Sequence, residues 1–297
     1  MILIVGCGFL GSYLLKYASE KTNEKILATV RDLNTVKPDN TIEYVKCDVT
    51  NKKDLILLSD KCKNEPLTVF YFAACHNVDY VYEYPEEARK INIEALNTFL
   101  ETIPNIKKFF FASTDCVYGE GKNNKFKFTE NSALQPVNEY GRQKAEAEQL
   151  VLSKGFTVLR LPFMLGPSLT SKAHFYDKIH LNLLNRETVE MIDGMERSVL
   201  SYMQTAQLIY SLSTLGSVPE IINICADEEL SKYEIGLIIA KKLAVSTNLV
   251  KSISEDQGKR FFKDTRASFT AMDNTLLKDT LGLKSIIWDE KLKTDNK

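Results

Sequence analysis

The 297-residue chain has no excess of either charge: 38 Lys and Arg stand against 39 Asp and Glu. No basic run breaks that balance, which argues against nucleic acid or an anionic membrane surface as a partner. No stretch approaches the roughly 20 apolar residues that span a bilayer. The apolar start, Met1 to Val5, runs straight into Gly6-Cys7-Gly8 with no basic flank and no cleavage site, and reads as a strand rather than a signal peptide. Six cysteines, at 7, 47, 62, 75, 116 and 225, lack C-x-x-C spacing and nearby His pairs. They read as reduced, buried thiols of a cytoplasmic protein, without a disulfide framework or a metal site. No repeat or linker is evident, so the expectation is a soluble chain of one large or two small domains.

What is present begins at that first strand. Gly6-Cys7-Gly8-Phe9-Leu10-Gly11 follows it directly, and Leu10, Leu14, Leu15 and Ala18 then keep helical spacing. Strand, glycine turn and helix is the context in which backbone N–H groups approach a dinucleotide pyrophosphate at the positive end of a helix. A second strand, Lys25 to Val30, ends at Arg31-Asp32. An acidic side chain there would hold the ribose 2′-OH of NAD, and an arginine would accommodate the 2′-phosphate of NADP. Arg31 comes first off the strand, which favours NADP, with NAD possible; a solvated loop arginine is the plain alternative.

Further strands are expected at Glu43 to Cys47, Leu67 to Ala74, Lys108 to Ser113 and Phe156 to Leu161, with helices at Lys52 to Lys61, Pro85 to Ile103 and Glu139 to Leu152. This alternation gives an α/β fold, a Rossmann-type doubly wound parallel sheet over 1–162. Residues 163–297 read as a smaller, mostly substrate-binding α/β region, with part of the chain returning to the sheet. Its helices are expected near His174 to Leu184, Gln204 to Leu215 and Lys232 to Leu243, with a strand at Glu220 to Ile224. Gly119 to Gln135 is polar and aperiodic, long enough for a lid or substrate loop. The residues after Trp288 are polar and expected to fray.

The chemistry centres on Tyr140-Gly141-Arg142-Gln143-Lys144, with Ser113-Thr114-Asp115-Cys116-Val117 upstream. Residues four apart share a helix face, so Tyr140 and Lys144 can point into one pocket. An ammonium beside a phenol lowers its pKa and makes Tyr140 a candidate general acid. Tyr17 with Lys21 and Tyr118 with Lys122 have the same spacing, so spacing alone does not choose. Tyr118 precedes Gly119 and Gly121, which favour a loop, and Tyr17 lies in the first helix with packing reasons of its own. Tyr140 opens a run of strong helix formers behind Pro136 and the capping residue Asn138.

With these motifs in order, the chain resembles the extended short-chain dehydrogenase/reductases, and among them most the dTDP-4-dehydrorhamnose reductases. The matching stretches are Ala73-Ala74 through Val78-Asp79, Pro85 to Asn92, Ser113-Thr114-Asp115 with Val117, Tyr140 to Lys144 with Glu146, Leu159 to Pro162, Gly166-Pro167, and Arg266 through Met272-Asp273. The resemblance implies that Thr114, Tyr140 and Lys144 are catalytic. Tyr140 would protonate a carbonyl oxygen, Thr114 would hydrogen-bond it, and Lys144 would lower the Tyr140 pKa and hold the nicotinamide ribose. It also implies cofactor contacts at Gly6, Gly8, Phe9, Leu10, Gly11, Arg31, Asp48, Val49, Ala73, Ala74 and Pro162. Substrate contacts would come from His76, Asp115 and Arg266, the last pairing with the diphosphate of a nucleotide sugar. A surface salt bridge for Arg266 and a satisfied structural role for His76 stay open. The family often forms homodimers.

The glycine turn is one residue shorter than the family's usual pattern, Cys75-His76-Asn77 replaces its common Tyr-Thr type of sequence, and Ala267 stands where it often has Pro. Three readings therefore remain: an NADP-preferring sugar-nucleotide reductase, a nucleotide-sugar epimerase or dehydratase that keeps its NAD bound, and a non-catalytic subunit similar to the regulatory subunit of methionine adenosyltransferase.

Overall fold

In the computed structural model, which describes residues 1–36, 42–123 and 125–288, the first strand shows why the sheet is central. All four residues of β1 (Ile2–Val5) are buried, Ile2 and Ile4 into one apolar cluster and Leu3 and Val5 into another. A strand covered on both faces needs no polar alternation, and this run has none. Around it the chain winds as α1 (Phe9–Lys21), β2 (Ile26–Val30), β3 (Ile42–Lys46), α2 (Lys52–Cys62), β4 (Leu67–Tyr71), α3 (Val78–Glu83), α4 (Pro85–Arg89) and α5 (Ala95–Thr102). It continues through β5 (Ile106–Thr114), α6 (Glu139–Leu152), β6 (Thr157–Leu161), β7 (Phe163–Leu165), α7 (Phe175–Leu184), β8 (Val189–Ile192), β9 (Glu196–Ser201), α8 (Tyr202–Thr214) and β10 (Ile221–Asn223).

A seven-stranded parallel sheet results, ordered β10-β6-β5-β4-β1-β2-β3. This is the expected Rossmann-type α/β fold, with the order reversing beside β1, where open sheets place their ligands. The strand expected near Glu220 returns to the sheet as β10, beside β6. Beyond it come β11 (Glu229–Ser231), α9 (Lys232–Lys242), β12 (Val250–Ile253), α10 (Glu255–Gly258), β13 (Phe269–Thr270) and α11 (Thr275–Leu281). Strands β7, β9, β11 and β13 form a smaller sheet, and β8 pairs with β12.

Several elements differ from the sequence expectation. The fourth strand stops at Tyr71, leaving Phe72-Ala73-Ala74 past the ladder. The helix expected from Pro85 to Ile103 is interrupted by a π-helical turn, Lys90–Glu94. That wider turn brings Asn92 inward, where its amide bonds Cys75 through N–H and C=O at 2.8 and 3.1 Å and Gln143 at 3.0 Å. The loop from Gly119 is strapped rather than free as a lid. Phe128 pairs with the 271–273 backbone, Tyr118 stacks on Phe128, and the Gly121 N–H donates to the Phe269 carbonyl. The aromatic residues within this polar stretch give it a small core of its own. The polar tail after Trp288 lies outside the described residues.

Candidate active site

The glycine turn fits tightly on one side and is open on the other. Gly6 has φ +91°, and a Cβ there would sit 2.6 Å from the Ala73 nitrogen. Thr29 fixes the turn by accepting the Gly6 N–H at 2.9 Å. Gly8 stands at the N-terminal end of α1, and a Cβ there would meet nothing within 4 Å. Backbone N–H groups therefore face open space at the positive end of a 13-residue helix, as an anionic ligand requires.

That space belongs to a cavity of about 1850 Å³ along the strand ends. Gly6, Gly8, Phe9, Leu10, Gly11, Arg31, Asp48, Val49, Ala73, Ala74 and Pro162 all line it, which brings the expected cofactor residues together. Their side chains are not equally available. Asp32 turns back on its own loop, accepting from the Asn34 backbone and side-chain nitrogens at 3.0 Å each. Asp48 is occupied by Thr50, whose hydroxyl and N–H bonds hold its carboxyl below the usual range, helped by the Arg31 charge. Arg31 is exposed and makes no hydrogen bond among the described residues.

Thr114 ends β5, and Tyr140 begins α6 opposite it. Asn138 caps that helix by accepting the Gly141 N–H at 2.8 Å. Gly141 lets the helix approach, since a Cβ there would lie 2.5 Å from the Cys116 carbonyl oxygen. Tyr140 packs among Cys75, Val81, Ala88 and Cys116 and lines the cavity beside Thr114. Burial pushes the Tyr140 phenol well above its ordinary pKa, and the nearby Cys116 and Asp115 push the same way, against a hydrogen bond from Thr114. The phenol is therefore protonated at neutral pH.

Lys144 shares the Tyr140 face but lies one turn deeper. It is 1% exposed, its Nζ sits 3.8 Å from the centroid of the Phe111 ring, and it is not among the residues lining the cavity. Burial pushes its ammonium down to about 7, against the opposing charge of Glu148. The expected lowering of the Tyr140 pKa by Lys144 is thus not what this protein conformation displays. Four-residue spacing sets a shared face, but depth along the helix decides which group reaches the cavity.

Asp115 lines the cavity, but its carboxylate is engaged by the protein itself. Its carboxylate accepts from Arg197 Nη2 and Nε at 2.5 and 3.0 Å, from Thr270 at 3.1 Å and from the Thr114 hydroxyl at 3.0 Å. With the Thr114 hydroxyl bonded to Asp115, it is not poised to donate to a substrate oxygen. Arg266 pairs with Asp79 at 2.8 Å, the salt bridge left open above, and yet lines the cavity, as do Arg197 and Lys232. The Lys232 Nζ lies 4.8 Å from the Phe262 ring centroid and has no salt bridge among the described residues. Burial, then Arg197 and Arg266, lower its pKa to about 8. His76 sits edge-to-face on Phe9 at 6.2 Å, beside the glycine turn, with burial lowering its pKa.

Sequence reasoning missed Arg197, Lys232, Asn92 and Glu148. The first two lie where the strand–helix alternation weakens, and nothing in their spacing ties them to Tyr140. Cys7, Cys75 and Cys116, expected to be buried, instead lie partly exposed on the cavity wall, while Cys47, Cys62 and Cys225 are buried. Among the described residues no group of three metal-ligating side chains converges.

Residues 2–225 match the model of the NAD dependent epimerase/dehydratase family. A dTDP-D-glucose 4,6-dehydratase of Dictyostelium discoideum is 27% identical over 271 residues, 82% of this chain and 61% of that protein. This chain thus spans about three fifths of that relative's length. A hypothetical dTDP-4-dehydrorhamnose reductase from Sulfolobus tokodaii superposes with a TM-score of 0.80 at 23% identity, covering 98% of both chains. DesIV, a dTDP-glucose 4,6-dehydratase from Streptomyces venezuelae solved as a double mutant with NAD and DAU bound, superposes with a TM-score of 0.80 at 18% identity, covering 97% of this chain and 93% of that one.

Proposed function

Because the chain belongs to the NAD dependent epimerase/dehydratase family, within the extended short-chain dehydrogenase/reductases, we propose that it is an enzyme reducing a keto group of a nucleotide-linked sugar. The observation that carries this reading is the shared cavity, which is lined by the open glycine turn, by the Thr114–Tyr140 pair and by the three cations Arg197, Lys232 and Arg266. When bound, a nicotinamide dinucleotide supplies hydride chemistry at carbon. The chain's own residues do the rest. Gly6 and Gly8 shape a cradle for the pyrophosphate, and Ala73, Ala74 and Pro162 offer a flat wall.

Tyr140, protonated at neutral pH, donates its proton to the oxygen of the carbonyl being reduced. Thr114, itself oriented by Asp115, fixes the Tyr140 hydroxyl. Arg197, Lys232 and Arg266 face a diphosphate. Lys232→Met is expected to raise the substrate KM about tenfold with kcat little changed, as for one lost charge-assisted contact; initial-rate kinetics with a nucleoside-diphosphate sugar read the split.

A nucleotide-sugar epimerase or dehydratase is the second reading, favoured by the names of the similar proteins, some solved with NAD. Dehydration needs an acid for the leaving hydroxyl and a base for the carbon proton. Beside Tyr140 the buried carboxylate is Asp115, already saturated by Arg197, Thr270 and Thr114. That favours simple hydride transfer over elimination.

Titration calorimetry with NADPH and NADH tests the choice. An Arg31 without a hydrogen bond among the described residues predicts tighter NADPH binding, and Arg31→Ala is expected to weaken NADPH about tenfold or more and leave NADH unchanged. Tight NADH binding indifferent to Arg31 would shift the assignment to the epimerase or dehydratase.

A further inference from the structure

Tyr140, Lys144 and Glu148 recur every fourth residue of α6, and all three are buried on one face. Tyr140 is the acid of the reaction proposed above, with Lys144 one turn beneath it; Glu148, which is 0% exposed, has no part in that reaction. Its surroundings are nevertheless built with care. One carboxylate oxygen accepts from the Ser113 hydroxyl at 2.5 Å and from Arg160 Nε at 3.1 Å, and the other accepts from Arg160 Nη2 at 2.7 Å. Arg160 in turn donates to the Tyr118 hydroxyl at 2.9 Å and to the Glu130 carbonyl at 3.1 Å. Ser113 is the neighbour of Thr114 on β5, so Glu148 ties the strand that carries Thr114 to the helix that carries Tyr140 and Lys144.

Lys144 is the group this arrangement serves. Against its ammonium lie the Phe111 ring and, one helical turn on, Glu148; no salt bridge within 4.0 Å is made by it among the described residues. The other charged or titratable groups facing that region are Tyr140 on the same helix, Asp115 and Cys116 after β5, His76 after β4, and Arg160 on β6 behind Glu148. Of these only Glu148 is a carboxylate whose charge acts directly on Lys144.

We propose that Glu148 is a positioning residue that keeps the buried Lys144 ammonium charged behind Tyr140, and that Arg160 and Ser113 hold the Glu148 carboxylate in place for that purpose. Two guanidinium contacts and a hydroxyl hold its carboxylate in place. Its charge then offsets part of the burial that pushes Lys144 down to about 7. The consequence for turnover rests on the reductase reading, whereas the charge coupling itself does not.

The sign pattern separates this role from a purely structural ion pair. Glu148 favours the charged lysine, so removing it lowers the Lys144 midpoint. The variant that folds most readily is Glu148→Gln with Arg160→Met, since exchanging a buried ion pair for neutral groups of similar size is often tolerated. The measurement is the pH titration of the lysine 13Cε resonances in the full chain, with Lys144 assigned by its loss in Lys144→Met. The midpoint is expected near 7 in the wild type. It should fall by about one unit in the double variant and by a few tenths in Glu148→Asp, which retains the charge and the fold but draws it back by one methylene. Unchanged midpoints in both variants would overturn the proposal, and if the double variant does not fold, an unchanged Glu148→Asp midpoint overturns it alone. Failure to bind cofactor or turn over sugar leaves this readout intact and bears only on the reductase reading.

Discussion

Tyr140→Phe is expected to cut turnover by about 10²- to 10⁴-fold, the usual worth of a positioned general acid, while dinucleotide affinity and melting temperature stay close to wild type. The ring keeps its packing against Val81, Ala88, Cys75 and Cys116, so only the hydroxyl and its contact with Thr114 are lost. Because burial holds the phenol above its ordinary pKa, the proton to be donated is present across the neutral range. Steady-state kinetics beside cofactor calorimetry separate the two effects. Near wild-type turnover in this variant would remove Tyr140 as the acid. A biological effect that persists without turnover would revive the non-catalytic reading, in which binding a partner needs no acid.

The glycine turn gives the second large effect. Gly6→Ala must place a side chain at φ +91° and 2.6 Å from the Ala73 backbone nitrogen. A left-handed conformation and a forced core contact together cost about 2 to 5 kcal/mol, or roughly 3 to 8 °C in melting temperature for a chain of this size. Gly8→Ala is the control: its new methyl group meets nothing within 4 Å of the protein, so the melting temperature should hold. The methyl group would instead stand where a pyrophosphate approaches, and dinucleotide Kd is expected to rise about tenfold. Thermal melts and calorimetry on both variants distinguish a turn that serves the fold from one that serves the ligand. Equal destabilisation by both substitutions would sink that division.

The parallel sheet was legible because its signals are local. A strand buried on both faces reads as an apolar run, unbroken in β1 and interrupted by a single threonine in β2 and in β4. Tyr140 was legible for the same reason: Asn138, the helix formers after it and the four-residue spacing all belong to one helix, observed at Glu139–Leu152 as expected. The loop from Gly119 was misread because its partner, the 269–273 segment, lies about 150 residues away, and no local pattern records such a pairing.

Depth and partnership were decided by tertiary structure alone. Lys144 could be placed on the Tyr140 face from sequence, but not beneath the cavity floor against Phe111, since that depends on how closely α6 settles on β5. Asp115 looked available until Arg197 and Thr270, from separate strands of the smaller sheet, closed around its carboxylate. Glu148 looked like any helical glutamate until Arg160 and Ser113 buried it as an ion. The sequence by itself determined the sheet, the glycine turn and the shared face of Tyr140 and Lys144, because backbone periodicity and chain order carry that information. Which charges meet, which are spent on each other and which remain for a ligand was settled only when distant segments packed, because charge pairing depends on distance in space and burial rather than on spacing along the chain.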